Sequence, residues 1–165
     1  ALLAAEGEVG AGFRQQDLAD ALTVGREHLH AVIARSDPAG ADPDVAVDID
    51  PQAVLASQQN ARLNGVQDRL QTFLPEAFAT FWQEADMQAD MITANILAKP
   101  LIQLAPYFAT LLKPHGSIVL AGLIENQVEA VREAYAPFFD ISADFTFKNE
   151  EDEHWHRLSG VRRIN

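Results

Sequence analysis

The run VAVDIDPQAVLASQQNARLNG, Val45 to Gly65, constrains this chain more than any other stretch. VAVDI reads as a short, continuously apolar strand that ends in acidic residues. Asp50 is placed to cap a helix, Pro51 fits its first turn, and Gly65 is a natural stop after about Asn64. A strand that delivers an acid to its carboxyl end and turns at once into a helix is one unit of an α/β sheet. Such sheets bind ligands at the carboxyl ends of their strands, and a strand-end acid there commonly holds a ribose. A ribose site of this kind normally has a glycine-rich loop about 20 residues upstream.

The same alternation continues downstream. RLQTFL predicts a second strand, EAFATFWQEA a short helix and DMITANI a third strand. Leu97, Leu101, Ala105, Phe108 and Leu112 recur at helical spacing, with Pro106 inside the run predicting a bend or break. KPHG is a turn, SIVLAGLI a buried strand and ENQVEAVREAYAPF another amphipathic helix. FDISADFTFKN and EHWHRLSGVRRI are extended runs, joined by an acidic turn, and predict a closing β-hairpin. The fold class expected is α/β, a doubly wound, mostly parallel sheet. Residues 45–165 form its body. Residues 1–44 read as an atypical opening segment: FRQQDLADALTVGREHLHAVIA as one helix or two, then the loop RSDPAGADPD.

The 165 residues suit a single domain with a real core. A net charge of −12 argues against direct nucleic-acid binding, because phosphates require clustered Lys and Arg. The absence of cysteine excludes disulfides, thiolate zinc sites and a cysteine nucleophile. No apolar run approaches the ~18 residues of a membrane span, so a cytoplasmic protein without membrane contact is expected. The oligomeric state is not legible.

Two places can carry chemistry. Asp48 at a strand end can accept both hydroxyls of a ribose, and its bland alternative is a cap or a solvated loop acid. Ile49 can pack on an adenine face or belong to the core. In TANILAKP, Asn95 falls at the carboxyl end of a strand that faces the same crevice. Its amide oxygen can accept a hydrogen bond from an amine and orient the lone pair; its alternative is a strand-end turn. His154 and His156 point to the same side of a strand, but no third ligand accompanies them, so no metal site is expected. Trp155 is expected to face the opposite side, toward the core.

VAVDIDPQAVLASQQNARLNGV, ADMITANILAKPLIQLAPYFATLLKPHGSIVLAGLIENQVEAV and EHWHRLSGVRR together resemble the class I S-adenosylmethionine-dependent methyltransferases. More narrowly, they resemble the catalytic domain of the ribosomal protein L-eleven methyltransferases (PrmA-type), over about residues 45–165. The resemblance implies a seven-stranded Rossmann-like sheet with the closing hairpin. It implies that Asp48 and Ile49 bind S-adenosylmethionine, and that Asn95 lies beside both the methyl group and the incoming amine as the catalytic residue. The substrate it implies is the large-subunit ribosomal protein L-eleven, methylated on lysine side chains and the N-terminal amine.

The chain departs from that pattern upstream of Asp48. REHLHAVIARSDPAGADPD occupies the window of the glycine loop and contains none. The upstream glycine cluster, GEVGAG, ends at Gly12, 36 positions before Asp48. Two accounts stay open. The opening residues are not the family's own, through truncation or a frame change, and the cofactor pocket is impaired. Alternatively, LHAVIA builds the first strand and RSDPAGADP replaces the loop. Two other functions also stay open, a non-catalytic Rossmann-like interaction domain and a dinucleotide-dependent oxidoreductase.

Overall fold

The computed structural model describes residues 30–34, 43–85, 87–148 and 154–164. Seven strands form one sheet in the order β3-β2-β1-β4-β5-β7-β6. They are β1 (His30–Ala34), β2 (Asp44–Val47), β3 (Leu70–Phe73), β4 (Ala89–Asn95), β5 (Leu112–Ile124), β6 (Phe139–Lys148) and β7 (His154–Arg162). The helices described are α1 (Pro51–Leu63), α2 (Pro75–Ala85), α3 (Ala98–Leu111) and α4 (Glu125–Tyr135). The mixed α/β architecture expected from the alternation is therefore present, with the closing hairpin made by β6 and β7.

The core follows from the apolar faces of these elements. Val45, Val47, Ile92, Ala94, Ile118, Leu120 and Leu158 are buried on the sheet. Phe78 and Trp82 of α2, Leu101, Leu104 and Phe108 of α3, and Val128 and Val131 of α4 complete it. Burying side chains of this size contributes roughly 1.5–3 kcal/mol each. Tyr135, fully buried at the end of α4, donates its hydroxyl to the Leu101 carbonyl at 3.0 Å and so ties α4 to α3. Burial holds the Tyr135 phenol well above its usual range.

Helix α1 starts as its sequence predicts. The Asp50 carboxylate accepts from the Gln52 N–H at 2.9 Å with Pro51 in the first turn, and Gly65 takes φ 68° just past the end. Helix α3 runs from Ala98 to Leu111 without a break at Pro106, which removes the break of the two outcomes expected there. The carbonyl deprived of a partner by that proline is that of Ile102. Ile102 is 37% exposed, so water can reach that side of the helix. KPHG keeps its turn character inside β5. Pairing with β4 jumps from Leu112 to Ser117 across it, and His115 takes φ 63°.

The centre of the sheet holds the main surprise. Residues 30–34, within a segment read first as helix plus loop, form β1 and fill the slot between β2 and β4, as the alternative that LHAVIA builds the first strand expects. Yet β1 is antiparallel to both neighbours. Five of the seven strands, β2 to β6, share one direction, while β1 and β7 oppose them. A five-residue apolar strand such as HAVIA satisfies the two flanking ladders in either direction, and its sequence carries no mark of which. The rest of the predicted opening helix, the GEVGAG cluster, most of the RSDPAGADP segment and the acidic hairpin turn lie outside the described residues.

Candidate active site

The carboxyl ends of β2, β4 and β5 define one edge of the sheet, and both polar residues among the predicted site residues lie on it. Asp48 follows β2 directly. Its N–H donates to the Phe73 carbonyl at 3.1 Å, continuing the β2–β3 ladder by one residue. The side chain is only 5% exposed, and its Oδ1 accepts the Asp50 N–H at 2.8 Å. That bond turns the chain from strand into helix and holds the carboxylate at the strand end. A carboxylate offers about four lone-pair positions, so this local bond leaves it able to accept further donors. Ile49 is half-buried and packs against the main core cluster, which makes it first of all a core residue.

Asn95 is the last residue of β4 and is exposed. Its backbone pairs with Ala121 of β5 on one side and with His30 of β1 on the other. Across β1, Ala31 pairs with Val47, the residue before Asp48. Asp48 and Asn95 therefore stand on the same edge, separated by the width of one strand slot, or two strand spacings of about 4.8 Å each. The chain then turns into α3 through buried Ile96 and exposed Leu97.

Gly122 completes the arrangement, and sequence reasoning passed over it. It lies in β5 where pairing with β7 shifts register between Leu120 and Leu123, and it takes φ 79°. A Cβ built on it would lie 2.6 Å from Oδ1 of Asn95 and 3.3 Å from the Ile96 carbonyl oxygen. A lone glycine inside an apolar strand pattern, LAGLI, was the available signal of a bulge or a close approach.

Two side-chain expectations fall elsewhere. Trp155 does not enter the core but is 39% exposed. It pairs with Ile124 and Phe147 at the end of the sheet, where Ile124 is itself 40% exposed, so strand alternation there no longer separates core from solvent. His156 Nδ1 lies 3.3 Å from Thr146 Oγ1 on the hairpin. No group of three potential metal ligands gathers among the described residues.

Comparison with known proteins identifies the family. The sequence profile of the family described as "Ribosomal protein L11 methyltransferase (PrmA)" matches residues 32–163. The chain belongs to the PrmA family. A ribosomal protein L11 methyltransferase from Psychrobacter cryohalolentis is 58% identical over 123 residues, which are 74% of this chain and 40% of that protein. One from Acinetobacter baylyi is 52% identical over 123 residues, 74% of this chain and 39% of that protein. The chain thus spans about two-fifths of the length of the curated relatives it matches.

Among solved structures, the ribosomal protein L11 methylase of Lactobacillus delbrueckii subsp. bulgaricus superposes with a TM-score of 0.58 at 28% identity. That match covers 73% of this chain and 58% of that one. An O-methyltransferase from Bacillus cereus, solved in complex with SAH, superposes with a TM-score of 0.55 at 12% identity, covering 71% of this chain and 61% of that one, a likeness of fold alone. The Rossmann-like methyltransferase fold expected from the sequence is thereby established. The oxidoreductase alternative loses its footing with the family match.

Proposed function

We propose that residues 45–165 are the methyltransferase domain of an S-adenosylmethionine-dependent protein N-methyltransferase, and that its substrate amines belong to ribosomal protein L11. The observation that carries this reading is the placement of Asp48 and Asn95 on one sheet edge, within a chain of the PrmA family. Neither a membrane nor a nucleic acid is a partner in this reading, and the cytoplasm is its setting. No described helix is long and apolar enough to cross a membrane.

The described residues fit the nucleoside end of the cofactor. Asp48 is a buried strand-end carboxylate held in place by the Asp50 N–H, and it accepts the ribose hydroxyls. Ile49 lends its partly exposed face to the adenine. The cofactor, when bound, supplies an electrophilic methyl group on a sulfonium. The protein's part is then to present a neutral amine in line with it, because a protonated amine has no lone pair. Asn95 does this through its amide oxygen, which accepts an amine N–H without favouring a cation as a carboxylate would. Catalysis by positioning of this kind calls for neither a covalent nucleophile nor a metal.

The reversed direction of β1 favours a second reading, a degenerate Rossmann-like domain that binds without catalysis. In a parallel β1 the residues after the strand would meet the crevice. Here the strand instead leaves toward the opposite edge, at Ala34, and begins at the crevice with His30.

Calorimetric titration with S-adenosylhomocysteine separates the two. We expect micromolar binding, weakened by roughly 30-fold or more in Asp48→Ala, since hydrogen bonds to a charged group contribute about 1.5–3 kcal/mol each. Absence of binding at millimolar ligand would sink the catalytic reading and favour the degenerate domain.

A further inference from the structure

We propose that Gly122 is a positioning residue for the amine site, and that its missing side chain is the space in which the Asn95 amide sits. The inference rests on the reading of Asn95 given above and names a second residue on which that reading depends. Asn95 is exposed on the crevice edge, where a side-chain amide ordinarily samples several rotamers. Its Oδ1 instead lies over the Gly122 backbone, 2.6 Å from where a Cβ would stand. No real side chain tolerates that approach, so any residue other than glycine must push the amide away.

The bulge makes the approach possible. Ala121 pairs with Asn95 in the β4–β5 ladder, and the next residue departs from β geometry at φ 79°, bringing its α-carbon under the amide. The register shift against β7 between Leu120 and Leu123 absorbs that departure. The Ile96 carbonyl, 3.3 Å from the same virtual Cβ, limits the space from the other side. Gly122 therefore leaves open the position the acceptor oxygen occupies at the edge, and so the direction from which a primary amine approaches. Asp48, across the β1 slot, is untouched by the change.

The contact and the backbone conformation are two separate reasons for glycine, and a double-mutant cycle separates them. Gly122→Ala is made in the wild type and in Asn95→Ala, and thermal midpoint, S-adenosylhomocysteine affinity and steady-state methyl transfer to an amine-bearing protein substrate are measured. Expected in the wild type is a fall in kcat on the order of 100-fold, the scale of a misplacement of about 1 Å. Cofactor-product affinity and substrate KM should change by less than about threefold, within the spread of independent sites. In Asn95→Ala, Gly122→Ala should cause no further loss of kcat, and its cost in thermal midpoint should shrink.

Equal thermal costs in both backgrounds, or kcat losses that multiply, would overturn the proposal and leave the positive φ as the whole reason for glycine. Should Gly122→Ala fail to fold, Gly122→Asn tolerates φ above zero and carries the same Cβ. Recovery of its folding by Asn95→Ala then supports the contact, and failure to recover overturns it. The thermal cycle reads the contact without any cofactor, so a chain that couples the two residues but binds no cofactor would refute the methyltransferase reading, and the amine site with it, while the Gly122–Asn95 contact stands.

Discussion

Strands β1 and β4 lie side by side at the centre of one sheet, exchange a full ladder, and do unlike things for the site. Strand β4 runs with β2 and β5, ends in Asn95 at the crevice, and feeds directly into α3, whose apolar face covers the sheet. Strand β1 runs the other way, begins at the crevice with His30, and ends at Ala34 toward the far edge. A slot in a sheet asks for backbone partners and apolar side chains, and either direction supplies them. A crevice asks for direction, because only one end of a strand can deliver a side chain and a turn to it. The sheet is whole, but its central strand starts at the crevice where a parallel β1 would end.

That contrast can be broken in three ways, taken here from the largest effect to the smallest. If the end of β4 carries the chemistry, Asn95→Ala should lower kcat for amine methylation by several hundredfold. Its affinity for S-adenosylhomocysteine, measured by titration, should change by less than about threefold. Equal loss of both would remove the distinction between binding and catalysis that the edge geometry draws.

If β1 is held only by its ladders, its weak point is the backbone. Val32 pairs with Ala46 on one side and Thr93 on the other, so Val32→Pro should cost roughly 2–3 kcal/mol. Scanning calorimetry would read this as a fall in thermal midpoint of roughly 4–12 °C. An unchanged midpoint would mean that this strand contributes nothing to stability, and the comparison would collapse.

The smallest effect probes the helix that β4 acquires. Tyr107 lies on α3 and packs against the core, and burial pushes its phenol up to about 12 from 10.0. The folded pKa is raised, so the associated stability is fully present below pH 10 and drains away as pH rises toward 12. The interval of about 1.5 pH units between pH 10 and pH 11.5 corresponds to at most about 2 kcal/mol. Urea unfolding at pH 8 and pH 11.5 should therefore show a loss in the wild type that Tyr107→Phe reduces. An identical loss in the variant would place the alkaline sensitivity elsewhere, with Tyr135 the next residue to test.

What the sequence made legible follows the same division. DIDP announces its strand end, cap and helix because each position has a local physical requirement, and the bonds from Gln52 to Asp50 and from Asp50 to Asp48 meet those requirements. Asn95 was legible from its place at the end of an apolar run. The direction of HAVIA was not, because direction is fixed by connection and not by composition. Trp155 was misread because period-two alternation assumes a covered face along the whole strand, and the hairpin outlasts that cover. The break offered as one outcome at Pro106 does not occur for a related reason, since propensity sees the lost N–H and not the packed face of Leu101, Leu104 and Phe108 that holds α3 together. Gly122 left its mark in the sequence, a single glycine in LAGLI, but the atom it accommodates belongs to a residue on another strand.

The antiparallel β1 also bears on the order in which the sheet assembles. Ile33 meets Val45 across a gap of 12 positions, whereas Ile92 meets Ile118 across 26. Closing the shorter loop saves about 0.7 kcal/mol of chain entropy. A second local pairing waits at the other end, where Phe147 meets Trp155 across 8 positions. These separations predict two early zippers with slower crossovers between them. Pulse-labelled hydrogen exchange during refolding should protect the amides of Val45 to Val47 before those of Ile118 to Leu120. The reverse order would show that β1 arrives last, as a guest in a sheet already formed.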